Sequence, residues 1–64
     1  MWVEIKKAQT LVMAEMWKEF FEGEGIPTHI MPAPGESMGR EFAPYSILVP
    51  RDKEHVTEEI LRKL

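Results

Sequence analysis

The segment 14–27, AEMWKEFFEGEGIP, constrains the fold more than any other part of this 64-residue chain. It has the spacing of an amphipathic helix, which a glycine and a proline then separate from residues that alternate like a strand. At 100° per residue the apolar side chains gather on one side of the helix: Met13, Ala14, Trp17, Phe20 and Phe21. The charged side chains gather on the other side: Glu15, Lys18, Glu19 and Glu22. Val12 and Met16 widen the apolar arc, which indicates a contact beyond that with one sheet face.

Capping residues mark both ends of this helix. Thr10 is suited to the N-cap position. At the other end, either of two glycines is suited to terminate the helix. With Gly25 at the C′ position in a left-handed conformation, Ile26 becomes C″ and contacts Phe21, as in a Schellman motif. If Gly23 terminates the helix instead, the C-terminal boundary of the helix lies two residues earlier.

The rest of the chain is predicted from its alternation and its turn residues. Apolar and polar residues alternate in three strands, at residues 2–6, 26–31 and 44–49. Between the last two, residues 32–43 (PAPGESMGREFA) are predicted to form a loop, long for so small a domain. A final helix follows Pro50, with Asp52 as its cap or in its first turn. Its apolar stripe is predicted to contain Val56, Ile60, Leu61 and Leu64.

The element order β-α-β-β-α predicts an α+β fold, a single domain over residues 1–64. A right-handed crossover makes the first two strands parallel, and the third then fits antiparallel between them, in the order 1-3-2. This is half of a ferredoxin-like unit, a sandwich with both helices on one face of the sheet. The opposite face is predicted to show Trp2, Glu4, Lys6, His29, Met31, Ser46 and Leu48.

Composition narrows the classes of function. The net charge of −3 is mixed and includes no basic block, which argues against a nucleic-acid partner. No apolar run approaches the roughly 20 residues of a membrane span, so no membrane partner is expected. The absence of cysteine removes disulfides and thiolate chemistry and is compatible with the cytoplasmic location that we predict.

Catalytic and metal-binding patterns are weak. His29 and His55 fall on different elements, so a metal site is not expected. Ser37 stands in GESMG rather than G-x-S-x-G, and the glycines around it match no P-loop. The glutamates of the first helix form a solvated polar face. We therefore predict no catalytic residues, no metal and no cofactor.

Several short motifs resemble one known family: Trp2-Val3, Ala14-Glu15, the helix end at 22–27 and Val49-Pro50. Over nearly its whole length the chain resembles the small bacterial domain family DUF2007, described as signal-transducing proteins. The resemblance implies a compact β-α-β-β-α, PII-like fold and a regulatory or binding module, and it brings no catalytic residues. In PII-type regulators the loop after the second strand engages partners. Residues 32–43 occupy that place here, although this loop is shorter and the chain lacks a fourth strand.

The leading hypothesis is a non-enzymatic regulatory or protein-interaction domain that acts in signal transduction. A contiguous apolar patch on an uncovered sheet face usually marks an interaction surface, and Arg and aromatic side chains are the usual anchors. The partner is another protein or a second copy, bound through the sheet face, an edge strand or the loop. The predicted contact residues are Trp2, Met31, Glu36, Met38, Arg40 and Phe42.

The alternative is a small-ligand or nucleotide sensor of the PII type. Arg40, Arg51 and Lys53 are predicted to gather around an anion near the start of the last helix. The N-terminus of a helix favours negative charge, so this is the position at which a phosphate would bind.

Overall fold

Among the residues that the structure describes, the sheet has three strands, and the last of them lies in the middle. The computed structural model describes residues 1–33 and 44–64. Its elements are β1 (Trp2–Ala8), α1 (Leu11–Gly23), β2 (His29–Pro32), β3 (Tyr45–Pro50), a 3₁₀ turn (Arg51–Lys53) and α2 (Glu54–Arg62). The strand order is β1-β3-β2, and β3 is antiparallel to both neighbours. The predicted α+β class, the strand order and the parallel relation of β1 to β2 are therefore confirmed.

The core lies between β3 and the two helices. Tyr45, Ile47 and Val49 project from one face of β3 and are buried, as the alternation predicts. Ala14 and Phe21 of α1 are completely buried against them. Ile60 and Leu61 of α2 pack against the same cluster, so both helices cover one face of the sheet.

The two ends of α1 have the predicted caps. The Oγ1 atom of Thr10 accepts a hydrogen bond of 3.1 Å from the backbone N–H of Met13. At the other end Gly25 has φ of 87°, and its N–H donates to the carbonyl of Glu22 at 3.0 Å. The N–H of Ile26 donates to the carbonyl of Phe21 at 2.9 Å. These two bonds define a Schellman motif. Gly23 is the last helical residue, and Gly25 is the C′ residue whose left-handed conformation terminates the helix.

The second strand begins later than predicted. Residues 26–28 precede β2, and Pro32, which we placed in the loop, is the last residue of β2. The prediction is wrong here because Ile26 belongs to the cap of α1, while the hydroxyl of Thr28 donates to the carbonyl of Ile26 at 3.0 Å. This local bond holds the segment outside the ladder. The remainder of the predicted loop, residues 34–43, lies outside the described residues.

A β-bulge in β1 reverses the predicted direction of one lysine. Glu4 lies opposite Leu48, but Lys6 lies opposite Ile47, so Ile5 is an extra residue in the ladder. Lys6 therefore shares the helix-covered face with Ile47, and its Nζ lies 4.7 Å from the centre of the Trp17 ring. The prediction that Lys6 lies on the open face is wrong, and Lys7 takes that position instead.

The apolar stripe of α2 is also rotated from the predicted one. Val56 is 48% exposed and Leu64 is 72% exposed, whereas Thr57 is completely buried. The hydroxyl of Thr57 donates to the carbonyl of Lys53 at 2.7 Å, which allows a polar side chain to occupy this position. Asp52 lies in the 3₁₀ turn that precedes α2 rather than in the first turn of the helix itself.

We expect Gly25→Ala to lower the free energy of unfolding by about 1–2 kcal/mol, because an L side chain is strained at a positive φ. Gly23→Ala is the matched control. A Cβ at either glycine would meet nothing within 4 Å, so steric clash does not complicate the comparison. Since Gly23 is helical, alanine there should raise stability by up to about 1 kcal/mol. Urea denaturation measures both changes, and a neutral Gly25→Ala would contradict the cap.

The bulge predicts that two neighbouring lysines differ in their effect on stability. Lys6→Ala should cost about 1 kcal/mol, because it removes the cation–π contact with Trp17 and the packing of the aliphatic stem. Lys7→Ala should change stability by less than about 0.5 kcal/mol, since Lys7 is exposed. Thermal unfolding followed by circular dichroism compares the two. The opposite ranking would contradict the contact between Lys6 and Trp17.

Candidate functional site

The face of the sheet that points away from the helices is the first candidate surface. Because Tyr45, Ile47 and Val49 point toward the helices, the alternate residues of β3 and their cross-strand neighbours point the other way. We call this surface the open sheet face. It consists of Trp2, Glu4, Lys7, His29, Met31, Ser46 and Leu48.

An aromatic and apolar patch crosses the open sheet face from β1 to β2. The rings of Trp2 and His29 lie with their centres 5.0 Å apart at an interplanar angle of 33°. They come from the two outer strands and meet across β3, where Trp2 is opposite Pro50 and His29 is opposite Leu48. Met31 follows two residues after His29 on the same face. Trp2 and Met31 are 46% and 50% exposed, so this patch is accessible.

The remaining groups of the open sheet face are polar and paired, and Ser46 lies directly opposite Met31. Ser46 Oγ donates to Glu4 Oε1 at 2.9 Å, and Lys7 Nζ lies 3.5 Å from Glu4 Oε2. The Glu4 carboxylate therefore accepts the hydrogen bond from Ser46 and also forms the ion pair with Lys7. This arrangement gives the apolar patch a polar border and orients Glu4 along the sheet.

The second candidate surface is a groove on the helix side of the sheet. Each helix packs mainly on the sheet. A groove of about 350 Å³ lies beside α1 and the end of α2, and we call it the helix groove. It is lined by Met13, Met16, Trp17, Phe20 and Leu64.

The wall of the helix groove is held by aromatic contacts. The Trp17 ring stacks on Phe21 at 5.6 Å and meets Phe20 edge-on at 5.9 Å. Met16 and Leu64, in contrast, are 64% and 72% exposed at the rim. The sequence pattern does not distinguish this groove from the core, because apolar residues at helical spacing look the same in both. The signal was present in the wide apolar arc that includes Met16.

The predicted anion site is only partly within the described residues. Arg51 and Lys53 are exposed on the 3₁₀ turn, whereas Arg40 lies outside the described residues. The backbone N–H of Arg51 donates to the carbonyl of Met1 at 2.8 Å, which ties the turn to the start of β1. Asp52 and Glu54 occupy the first turns here, where their charge already complements the positive end of α2. This arrangement gives the ligand-sensor alternative little support.

The predicted contact residues divide into two groups. Trp2 and Met31 lie together on the open sheet face. The others fall outside the described residues: Glu36, Met38, Arg40 and Phe42. Among residues 1–33 and 44–64, no three His, Asp or Glu side chains are placed to hold a metal ion. His29 lies beside Trp2, and His55 is 3.9 Å from Glu59.

Comparison with protein-family models, with curated proteins and with solved structures found no match to this chain. The resemblance to the DUF2007 family therefore stays a prediction from the residues. In the part of the chain that the structure describes, no helix combines the length and the apolar character needed to cross a membrane.

The two tryptophans should report separately on the two surfaces. We expect acrylamide to quench the Trp17→Phe variant, which retains Trp2, more strongly than the Trp2→Phe variant, because Trp2 is the more exposed ring. His29→Ala in the Trp17→Phe background should increase quenching further, since it removes the neighbouring ring. Equal quenching of the two single-tryptophan variants would contradict the placement of Trp2 on the open sheet face.

Proposed function

We propose that this chain is a non-enzymatic regulatory domain that binds another protein or a second copy through its open sheet face. The observation that carries the proposal is the accessible patch of Trp2, His29 and Met31. Large aromatic side chains are the usual anchors of protein interfaces. An accessible apolar patch of this kind on a sheet face is best explained as a contact surface.

The patch is suited to binding because it is already ordered. Trp2 and His29 hold each other through ring contact, and both are attached to strands paired with β3. Binding therefore costs little side-chain entropy at these two positions. The paired polar groups around Glu4 provide the polar border that surrounds the apolar centre of many interfaces.

The face is a better route for association than the strand edges. β2 has only four residues and ends at Pro32, which cannot donate to a ladder. β1 has a bulge, and Lys6 turns inward from it. Short strands, prolines, bulges and inward charges are the features that discourage edge-to-edge pairing. We therefore place the contact on the open sheet face.

The regulatory part of the proposal rests on the resemblance to the DUF2007 family. That resemblance suggests signal transduction, and the cytoplasmic location stays a prediction from the sequence. The family fold and this chain share the order β-α-β-β-α, which is consistent with the proposal.

Analytical ultracentrifugation and affinity capture test the proposal together. We expect concentration-dependent self-association or capture of a specific partner, and we expect Met31→Ser or Trp2→Ser to abolish it. Val56→Ser is the matched control, since Val56 is also about half exposed but lies on α2. A chain that stays monomeric at millimolar concentration and captures nothing would overturn the proposal. So would equal effects of Met31→Ser and Val56→Ser.

A further inference from the structure

The charges of this chain are arranged so that the open sheet face fits a second copy of itself. We propose that the partner of the open sheet face is a second copy of the chain, bound face to face about a two-fold axis. This inference rests on the proposed function and names the partner of the same surface. It fails separately if that surface binds a different protein.

The net charge of the chain lies on the side away from the open sheet face. Residues 11–24, which form α1 and its C-cap, contain four glutamates and one lysine. The other 50 residues carry seven acidic and seven basic side chains, so the whole net charge of −3 belongs to α1 and its cap. All four glutamates are exposed, and α1 packs on the opposite face of the sheet.

This distribution decides which surface two copies can share. A contact through α1 brings two charges of −3 together, whereas a contact through the open sheet face leaves one helix layer on each outer side. Packed sheets lie about 10 Å apart, and a helix layer adds about 10 Å on each side. The two α1 helices are then roughly 30 Å apart, several times the Debye length of about 10 Å, so their repulsion is largely screened.

The open sheet face itself carries one charge of each sign. Lys7 Nζ lies 3.5 Å from Glu4 Oε2, and the two side chains are 57% and 41% exposed. Because the bulge removes Ile5 from the ladder, Glu4 and Lys7 occupy successive positions of this face. Each of them begins a row across the three strands. The two rows are Glu4-Leu48-His29 and Lys7-Ser46-Met31.

A two-fold axis between these rows makes the face complementary to itself. With the axis in the plane of the contact and perpendicular to β1, Glu4 of each copy lies against Lys7 of the other, as an isologous interface requires. The four charges then alternate in sign around the axis, which favours this register over registers that bring like charges together. Sheets packed face to face align within about 30°, so residues near the axis keep this pairing.

The same operation matches the other residues of the two rows. On β2, His29 of each copy lies against Met31 of the other, and contact between a methionine sulfur and an aromatic ring is favourable. On β3, Leu48 lies against Ser46, a large side chain against a small one, which lets the two faces interdigitate. Charge and side-chain size therefore select the same axis.

Reversal of single charges tests for a two-fold contact between copies. Lys7→Glu leaves two carboxylates on the face of one variant, and Glu4→Lys leaves two ammonium groups on the face of the other. Each variant alone should self-associate at least about tenfold more weakly than the parent chain, because like charges then meet across the axis. An equimolar mixture of the two should recover an affinity close to that of the parent chain. Sedimentation equilibrium measures each variant alone, and isothermal titration calorimetry measures the mixture.

Control variants separate the contact from net charge and from folding. Lys63→Glu makes the same change of charge as Lys7→Glu at an exposed position on the C-cap of α2, so it should self-associate as the parent chain does. Met16→Ser, on α1, should also leave self-association unchanged, whereas Met31→Ser should abolish it. Recovery of association in the mixture shows in addition that both charge variants are folded.

The outcomes separate this inference from the proposed function. A mixture that does not recover association, or equal weakening by Lys63→Glu and Lys7→Glu, would overturn the two-fold contact. A parent chain that stays monomeric at millimolar concentration but captures another protein, with loss of capture in Met31→Ser, would overturn this inference and leave the proposed function standing. A parent chain that neither self-associates nor captures a partner would overturn both.

Discussion

The fold depends on the burial of one face of β3. This strand is hydrogen-bonded on both edges. Its side chains Tyr45, Ile47 and Val49 point toward the helices and are buried. Phe21 from α1 completes the same cluster. Two short helices can cover only one face of a three-stranded sheet, and a chain of this size buries only about 60% of the surface that its unfolded form exposes. The open sheet face is a direct consequence of this architecture.

Both candidate surfaces are exposed because so small a domain has few helices and strands to cover them. They differ in physical character. The open sheet face presents Trp2 and His29 as a tilted ring pair beside the paired groups of Glu4, Ser46 and Lys7. The helix groove presents adaptable apolar side chains, with Met16 exposed at its rim. The surfaces point in opposite directions, so occupation of one leaves the other accessible.

Local signals predicted most of the architecture. Thr10 and Gly25 mark the ends of α1 through hydrogen bonds within a few residues, so the sequence pattern is sufficient to locate them. The strand order follows from general rules of chain crossing, and Trp2 and Met31 follow from alternation. The groove was missed because apolar residues at helical spacing look the same whether or not another element covers them.

The sequence alone determined the element types, the cap of α1 and the strand order, because each follows from short-range periodicity or from the chirality of the chain. Only the tertiary structure decided the bulge that turns Lys6 onto Trp17 and the rotation that buries Thr57. It also decided that a groove lies beside α1 and Leu64. These features depend on register and on distances between elements far apart in the chain, for which a pattern of neighbouring residues contains no signal.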